Sequence, residues 1–442
     1  MKREEIINAL GSDQKMLTQL QYETLSYFLN MADEQTGLIA DKNEPGSPAS
    51  IAATGLGLSC FVTAVSSGMM PRENALESCL KIIRFFAESE QSKAVDATGY
   101  KGFYYHFLDM KSGRRVWKCE LSTIDSAILI AGILSASLFF NNDKKEEKEL
   151  RELAELLCNR VDWKWATARK ESLCHGWKPE TGFLKTRWDR HYSEAHIAYI
   201  LALGSPTHPI PAACYQAWIS TFEWMQLYDT EYIYAGPLFV HQMSQLWLDF
   251  SGIRDAQNEK WNLDYFENSR RATCVQRRYA MDNPHEWEGY SEYDWGFTAS
   301  DGPGPKRRMI KGKSRNFYAY KERGVPFGPD DGTISPWSVV ASLPFAPDIV
   351  LESLRHFIEH LALKREGNWG LDSSYNPSFH TKDKKIAGWI SSLQFGLNQG
   401  PIILMIENFR TKFLWKLMKH SPQITSGLKR AGFKGGWIDE HF

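Results

Sequence analysis

The sequence predicts an all-α protein built as an (α/α)6 toroid, six inner helices surrounded by six outer ones. Three observations lead there. About twelve stretches show helical apolar periodicity. The connections between them alternate between very short and long, and the charge content alternates in the same phase. The 442 residues are 43% hydrophobic and 24% charged, an ordinary balance for a globular chain. Length alone, at ~150 residues per domain, suggests three domains. The helix pattern instead predicts a single domain over 1–442.

The helices are expected near 16–32, 50–68, 71–91, 122–140, 144–161, 193–205, 208–225, 239–252, 263–283, 335–343, 347–364 and 398–420. The second of these, SIAATGLGLSCFVTAVSSG, has no charged residue. The fourth has only Asp125, the sixth only Glu194, and the tenth none. A helix that is apolar all round is buried on every side, whereas an amphipathic one keeps a solvent face. The third, fifth, ninth and eleventh are rich in Lys, Arg and Glu, so inner and outer helices alternate. Short links at Met70, Asn141–Asp143, Pro206–Thr207 and Leu343–Ala346 follow even helices. Long loops at 92–121, 162–192, 226–238, 284–334 and 365–397 follow odd ones, with 253–262 intermediate. The long loops then all emerge at the N-termini of the inner helices, where a rigid scaffold presents functional residues. The 34- to 45-residue self-similarity of an α-solenoid is absent.

Composition narrows the chemistry. Lys+Arg is 52 and Asp+Glu is 53, so neither a nucleic-acid footprint nor a polybasic membrane patch is expected. The longest apolar run, near Ile128 to Leu134, is too short for membrane insertion. The opening MKREEIINALGSDQ is not followed by the apolar stretch of a leader peptide, and the compartment stays open. The seven Cys are odd in number, scattered and without CxxC, so buried free thiols are expected rather than a disulfide framework or a zinc site. His356 and His360 lie i,i+4 on a charged outer helix without HExxH, which fits a solvated face. Phosphate-cradling, dinucleotide and GxSxG patterns are missing, so no metal and no cofactor are expected. Sixteen Trp, 18 Tyr and 24 Phe make up 13% of the chain. Much of this is core, with Trp218, Trp224, Trp247 and Trp415 placed inside helices. Flat rings also stack on the apolar faces of sugars, so an oligo- or polysaccharide partner is the reading that fits the surplus.

What remains for chemistry is carboxylates among aromatics in the long loops. Glu120 and Asp125 bracket the fourth helix in VWKCELSTID, and Ser122 with Asp125 resembles a capping box. Glu194, in RWDRHYSEAH, opens the sixth helix. A helix N-terminus favours the carboxylate form, so service as an acid requires burial or a second carboxylate to raise its pKa. The longest loop, EWEGYSEYDWGFTASDGPGP, interleaves Glu286, Glu288, Glu292, Asp294 and Asp301 with Trp287, Tyr290, Tyr293 and Trp295. Two carboxylates flanking a sugar cleft are what glycosidic cleavage needs, one protonating the leaving oxygen and the other activating water or attacking. Expected sugar contacts are Trp117, Trp177, Trp188, Trp287, Tyr290, Trp295, Trp369, Asp301, Asp372 and Asn398.

Several long motifs add a resemblance. GFYYHFLDMKSGRRVWKCELSTIDSAIL, SEAHIAYILALGSPTHP, HQMSQLWLDFSGIRDA, DYFENSRRA, WGFTASDGP, DGTISPW, SLPFAP and NQGPIILMIENFRT run in order from about Gly37 to Trp415. They resemble the glucoamylase-like family, which includes glycoside hydrolase family 144 and the transglycosylase domains of cyclic β-1,2-glucan synthases. The resemblance implies an (α/α)6 toroid acting on β-1,2-glucan without a metal, with inversion in family 144 and with retention and chain transfer in the synthase-type domains. It implies Glu194 as a cleft carboxylate through SEA, Glu292 and Asp301 through YSEYDWGFTASDGP, and Glu120 and Asp125 through CELSTID. Within that set we expect Glu194 to be the proton donor, Glu292 its partner, and Glu120 and Asp125 positioners of substrate or water.

The chain departs from the family pattern twice. GLNQGP stands where the family reads GIDQGP, so Asn398 replaces an acid. An insertion, PKRRMIKGKSR over 305–315, brings six basic residues. A solvated loop, a cap on the cleft and a reader of anionic substituents are the options for it. An inverting β-1,2-glucan hydrolase is the leading reading. A retaining transglycosylase and a non-catalytic glucan-binding protein are the alternatives.

Overall fold

The computed structural model describes residues 11–364, 369–383 and 386–440. The leader reading of residues 1–10, and parts of the expected loop 365–397, lie outside the described residues. The chain is helix-rich, with short strands confined to the loops. The helices that position the site are α1 (Ser12–Asn30), α2 (Ile51–Ser66), α3 (Arg72–Glu88), α4 (Thr123–Phe139), α5 (Lys145–Arg160), α6 (His196–Gly204), α7 (Ala212–Ile219), α8 (Tyr265–Asp282), α9 (Pro336–Ala341), α10 (Pro347–Glu359), α11 (Gly396–Thr411), α12 (Phe413–Met418) and α13 (Pro422–Ala431).

The uncharged helices are buried as their patterns require. In α2 every residue from Ile51 to Ala64 is buried. Its N-cap Ser50 accepts a hydrogen bond from the Ala53 amide, satisfying one of the helix's orphan donors. In α4, Ser122 caps in the same way, accepting from the Asp125 amide. The two helices meet backbone to backbone. A Cβ on Gly132 would lie 2.1 Å from the Gly55 carbonyl oxygen, and one on Gly55 2.6 Å from Leu129 Cα, so only glycine permits this approach. The Ser59 and Ser135 hydroxyls then bond at 3.0 Å across the contact.

Neighbouring inner elements follow one another. Helix α4 packs on α2 and on α6. Ser244 Oγ accepts from the Ile197 amide at 3.0 Å and donates to the Glu194 carbonyl at 2.6 Å, joining the start of α6 to the 238–246 segment. Gln242 Nε2 links that segment to α9 through the Ser338 carbonyl and Ser342 Oγ. Helix α9 packs on α11, and α11 on α2. The amphipathic helices lie outside: α1 against α11, α3 against α2 and α5, α10 against α9. One connected cluster of buried apolar side chains runs from Leu17 to Ile438.

Three expected helices differ, and one helix is additional. The helix expected at 239–252 is two 3-10 turns, Leu238–His241 and Ser244–Leu246. Buried side chains there bond elsewhere, as Gln245 Nε2 does to the His241 and Tyr265 carbonyls and to Ser269 Oγ, which competes with a regular ladder. Trp247 falls just after the second turn rather than inside a helix. The helix expected at 208–225 stops at Ile219, and Trp224 instead begins a hairpin, β6 (Trp224–Leu227) with β7 (Thr230–Ile233). Tyr228, at φ 55°, makes the turn, and Trp224 stacks on Trp261 at 5.1 Å. The helix expected at 398–420 breaks at Lys412, a left-handed residue. Helix α13 was not expected. It packs on α6 through another glycine contact, in which a Cβ on Gly427 would lie 2.0 Å from the Ile200 carbonyl oxygen.

The long loops carry the strands. A five-stranded sheet has the order β1 (Gly99–Tyr100), β2 (Phe103–Tyr105), β3 (Leu121–Ser122), β4 (Gly176–Lys178), β5 (Gly182–Phe183). It splints the loops before α4 and α6. Further on, β8 (Ala299–Ser300) pairs with β11 (Lys321–Glu322), and between them β9 (Lys306–Ile310) and β10 (Lys313–Phe317) form the basic hairpin. Among the described residues no helix is long and apolar enough to cross a membrane. All seven cysteines are free, six of them buried and Cys274 half-buried.

Candidate active site

A cavity of about 580 Å³ lies at the N-terminal ends of the inner helices. Ser50 before α2, Ile124 and Asp125 on α4, Glu194 before α6, Trp337 on α9 and Asn398 on α11 all line it. The loops add Asp41, Lys42, His106, Asp301, Tyr320 and Phe395. Its size suits a small oligomeric ligand held by several polar groups among apolar walls.

Glu194 sits in the turn that precedes α6 rather than inside the helix. Its carbonyl is fixed by Ser244. Burial pushes its carboxyl up to about 7; its own backbone amide opposes the rise, and Glu322 and Asp125 add to it. The dipole expected to hold it ionised is therefore outweighed, because losing water costs the charged form more than a partial charge returns. Glu322 reaches this neighbourhood because the β8–β11 register sets it opposite Ala299, which lines the cavity.

Asp125 does two things. The capping relation with Ser122 is present, but its own carboxylate accepts the Ser122 hydroxyl at 2.5 Å and also faces His106 Nε2 at 3.7 Å. His106 Nδ1 meets Glu120 at 2.9 Å. Burial opposes protonation of this imidazole, but Asp125, Glu120 and Asp41 outweigh it and raise the pKa to about 9. The hydrogen bond to His106 in turn is the chief cause that holds Glu120 down at about 2. At neutral pH the His106 cation and the Glu120 carboxylate thus form an ion pair beside the cavity, with Asp125 facing the other ring nitrogen. Phe107 stacks on His106 at 4.0 Å and keeps the ring in place.

Asp41 lies in the connection between α1 and α2. Its carbonyl accepts from the Gly396 amide at 2.9 Å, and Lys42 bridges to Phe395. Burial raises its carboxyl to about 6, with His106 and Lys42 pulling down and Asp125 pushing up. Asp301 Oδ2 accepts from Ser391 Oγ at 2.8 Å. Asn398 is buried and its Nδ2 has no partner among the described residues; Trp337 Nε1 is in the same condition. Two unmet N–H donors in a cavity wall suit a ligand with hydroxyl oxygens. Among the described residues no group of three or more His, Cys, Asp or Glu is arranged to hold a metal ion.

The sequence pattern of the Glycoamylase family, described as "Putative glucoamylase", matches residues 186–422, more than half of the chain. The chain belongs to this family. It is similar, at 27% identity over 95% of its length, to an exo β-1,2-glucooligosaccharide sophorohydrolase (non-reducing end) from Parabacteroides distasonis, and spans 58% of that protein. It is similar in structure to a putative glucoamylase from Bacteroides uniformis, with a TM-score of 0.83, 29% identity, and coverage of 96% of this chain and 98% of the other. It is likewise similar to an endo-β-1,2-glucanase from Chitinophaga pinensis, whose structure holds sophorotriose and glucose. That match has a TM-score of 0.82, 25% identity, and coverage of 96% and 99%.

In this glucoamylase-family chain the residues singled out from sequence separate into two sets. Glu194, Asp125, Asp301 and Asn398 line one cavity, with Glu120 tied to it through His106. Trp117 is an exposed rim residue, packed on Phe107 at 5.2 Å. Glu292 does not reach the cavity. It lies on the far side of its loop, 3.6 Å from Arg277, which also donates to its backbone carbonyl. Trp177 packs against Tyr100 and Trp165. Trp188 stacks on His175 and donates to Thr123. Trp287 and Tyr290 both donate to Asp330, Trp295 is buried and donates to Ser353, Trp369 meets Tyr27 edge-on, and Asp372 is buried outside the cavity lining. These are packing positions. His356, expected on a solvated face, contacts Asp294 at 3.0 Å.

Sequence reasoning missed Asp41, His106, Lys42, Tyr320 and Glu322. His106 stands inside the quoted GFYYHFLD motif, where a histidine among aromatics was a usable signal. Asp41, in ADKNE, looks like a charged surface turn and carries no signal of its own.

Proposed function

We propose that this protein is a glycoside hydrolase that cleaves β-1,2-glucan or sophorooligosaccharides with inversion, using a single (α/α)6 toroidal domain over 1–442. The succession of contacts from α2 through α4, α6, the 238–246 turns, α9 and α11 back to α2 supports the toroid. The observation that carries the function is Glu194: a half-buried carboxyl in a cavity lined by further carboxylates, its pKa raised to about 7 so that it can donate to a leaving oxygen. The β-1,2-glucan substrate rests on the relatives' own activities.

In the reaction the Glu194 proton passes to the glycosidic oxygen as its bond to the anomeric carbon breaks. A water attacks the opposite face of that carbon and gives up its proton to a second carboxylate. Asp125, with His106 and Glu120, orients substrate or water, and the Asn398 and Trp337 donors take sugar hydroxyls. Incubation with linear β-1,2-glucan, followed by chromatography and early-time NMR of the products, tests this. Sophorooligosaccharides appearing first as the α-anomer are expected. A first-formed β-anomer with longer products would instead make the enzyme a retaining transglycosylase, and an absence of products at high enzyme would overturn the hydrolase.

A further inference from the structure

Resting on that hydrolase reading, we infer that Asp41 is the base that activates the attacking water. Three observations carry the assignment.

The first is availability. Asp125 is occupied by the Ser122 hydroxyl and faces His106, Asp301 is occupied by Ser391, and Glu120 is bonded to His106. Among the described residues no protein group donates a hydrogen bond to the Asp41 carboxylate, and the adjacent Lys42 pairs with Glu44 instead. Both of its oxygens are open to water, whereas Asp125, Asp301 and Glu120 are each engaged through one oxygen.

The second is placement. Asp41 is fastened to the start of α11, at the junction of α11 with α2, whereas Glu194 opens α6. Helices α2 and α4 stand between them in the order of contacts, and the Asp125–His106 pair sits on that intervening wall. Donor and base therefore approach the ligand from different sides, as displacement with a water on the opposite face requires.

The third is electrostatics. The groups that face Asp41 are His106, Lys42, Asp125, Tyr27 and Tyr320. Together with burial they leave its carboxyl near 6, close to the working range of a general base, whereas Glu120 at about 2 is too weak a base.

The step balances. Water oxygen bonds to the anomeric carbon as the glycosidic bond breaks, its proton goes to Asp41, and the Glu194 proton goes to the departing 2-oxygen. Asp41 and Glu194 then exchange their protons with solvent.

The test is Asp41→Asn, nearly isosteric, beside Glu194→Gln, each checked for an unchanged circular dichroism spectrum. On β-1,2-glucan both should lose ~10²–10⁴-fold in kcat. On a dinitrophenyl β-sophoroside, whose leaving group needs no proton, Glu194→Gln should recover turnover and Asp41→Asn should not. The acid limb of the pH profile, centred near 6 in the wild type, should vanish in Asp41→Asn. A variant that keeps more than a tenth of wild-type kcat, or an unmoved acid limb, overturns the assignment to Asp41 while the hydrolase reading stands. A wild type inert on β-1,2-glucan overturns both. Asp41→Ala with azide serves if the Asn variant misfolds: formation of an α-glycosyl azide supports Asp41, and its absence from a folded variant counts against it.

Discussion

Two regions of this molecule look alike in sequence and behave differently in space. The loop 284–334 and the cavity mouth are both rich in acids and aromatics. In the part of the loop that lies away from the cavity, Asp294, Asp330 and Asp331 are each matched. Asp330 receives the Tyr279 and Tyr290 hydroxyls and the Trp287 indole. Asp331 holds the buried Arg323 at both oxygens, at 2.6 and 2.8 Å. Asp294 takes Tyr375 and Ser291. In the cavity, Glu194 and Asp41 have few partners and shifted protonation, and Asn398 and Trp337 keep unmet donors. Saturated acids build structure. Acids left short of partners keep free-energy differences that a ligand can use.

Removing each kind of acid should therefore have a different signature. The largest expected effect is catalytic: Glu194→Gln lowers kcat by ~10²–10⁴-fold, read in reducing-sugar release. Comparable in free energy but visible only in unfolding, Asp331→Ala strands the Arg323 guanidinium and costs about 3–5 kcal/mol, read in urea denaturation. A smaller effect should be a gain. Because the Glu194 pKa is raised in the folded state, its burial opposes folding only once it ionises. Stability is full below about 4.5 and is lost as pH rises through about 7. Glu194→Gln should then be more stable than the wild type by up to about 3 kcal/mol at pH 8 and equal to it at pH 4, measured as paired melts. The smallest is Tyr279→Phe, which removes one of three side-chain donors from Asp330. It should cost about 1–2 kcal/mol with kcat/KM on β-1,2-glucan unchanged. If the Tyr279 variant lost activity and the Glu194 variant lost stability, the contrast between the two regions would fail.

This contrast also explains what was legible beforehand. The uncharged runs at 51–66 and 123–139 announced their burial, and the alternation of loop lengths placed the end at which the cavity lies. Asp125 and Glu194 stood out because each is a lone acid in an apolar helix pattern. Glu292 and the loop tryptophans did not resolve, because local sequence does not reveal whether an acid has found an arginine or an indole a carboxylate. Asp41 was invisible for the converse reason, since a charged turn looks solvated until Phe395 and Gly396 close over it. The basic insertion resolves similarly. Lys313 and Lys311 reach Glu286 and Glu288, while Arg315 and Arg308 donate to the His285 and His380 carbonyls. Much of its charge is thus committed to docking the β9–β10 hairpin on neighbouring loops.

The fastening of residue 41 to residue 396 has a consequence for how the protein loses function. Helix α1 is clasped to α11 through Gln21 with Glu407 and Arg410 with Thr18, so segments far apart in sequence meet along one seam. Contacts of such separation carry a large loop-closure entropy and form late in folding. Opening that seam alone would carry Asp41 away from Glu194 while most of the helices stayed intact. Inactivation should therefore precede the loss of helical signal as denaturant rises, which makes catalysis a sensitive gauge of whether the seam is shut.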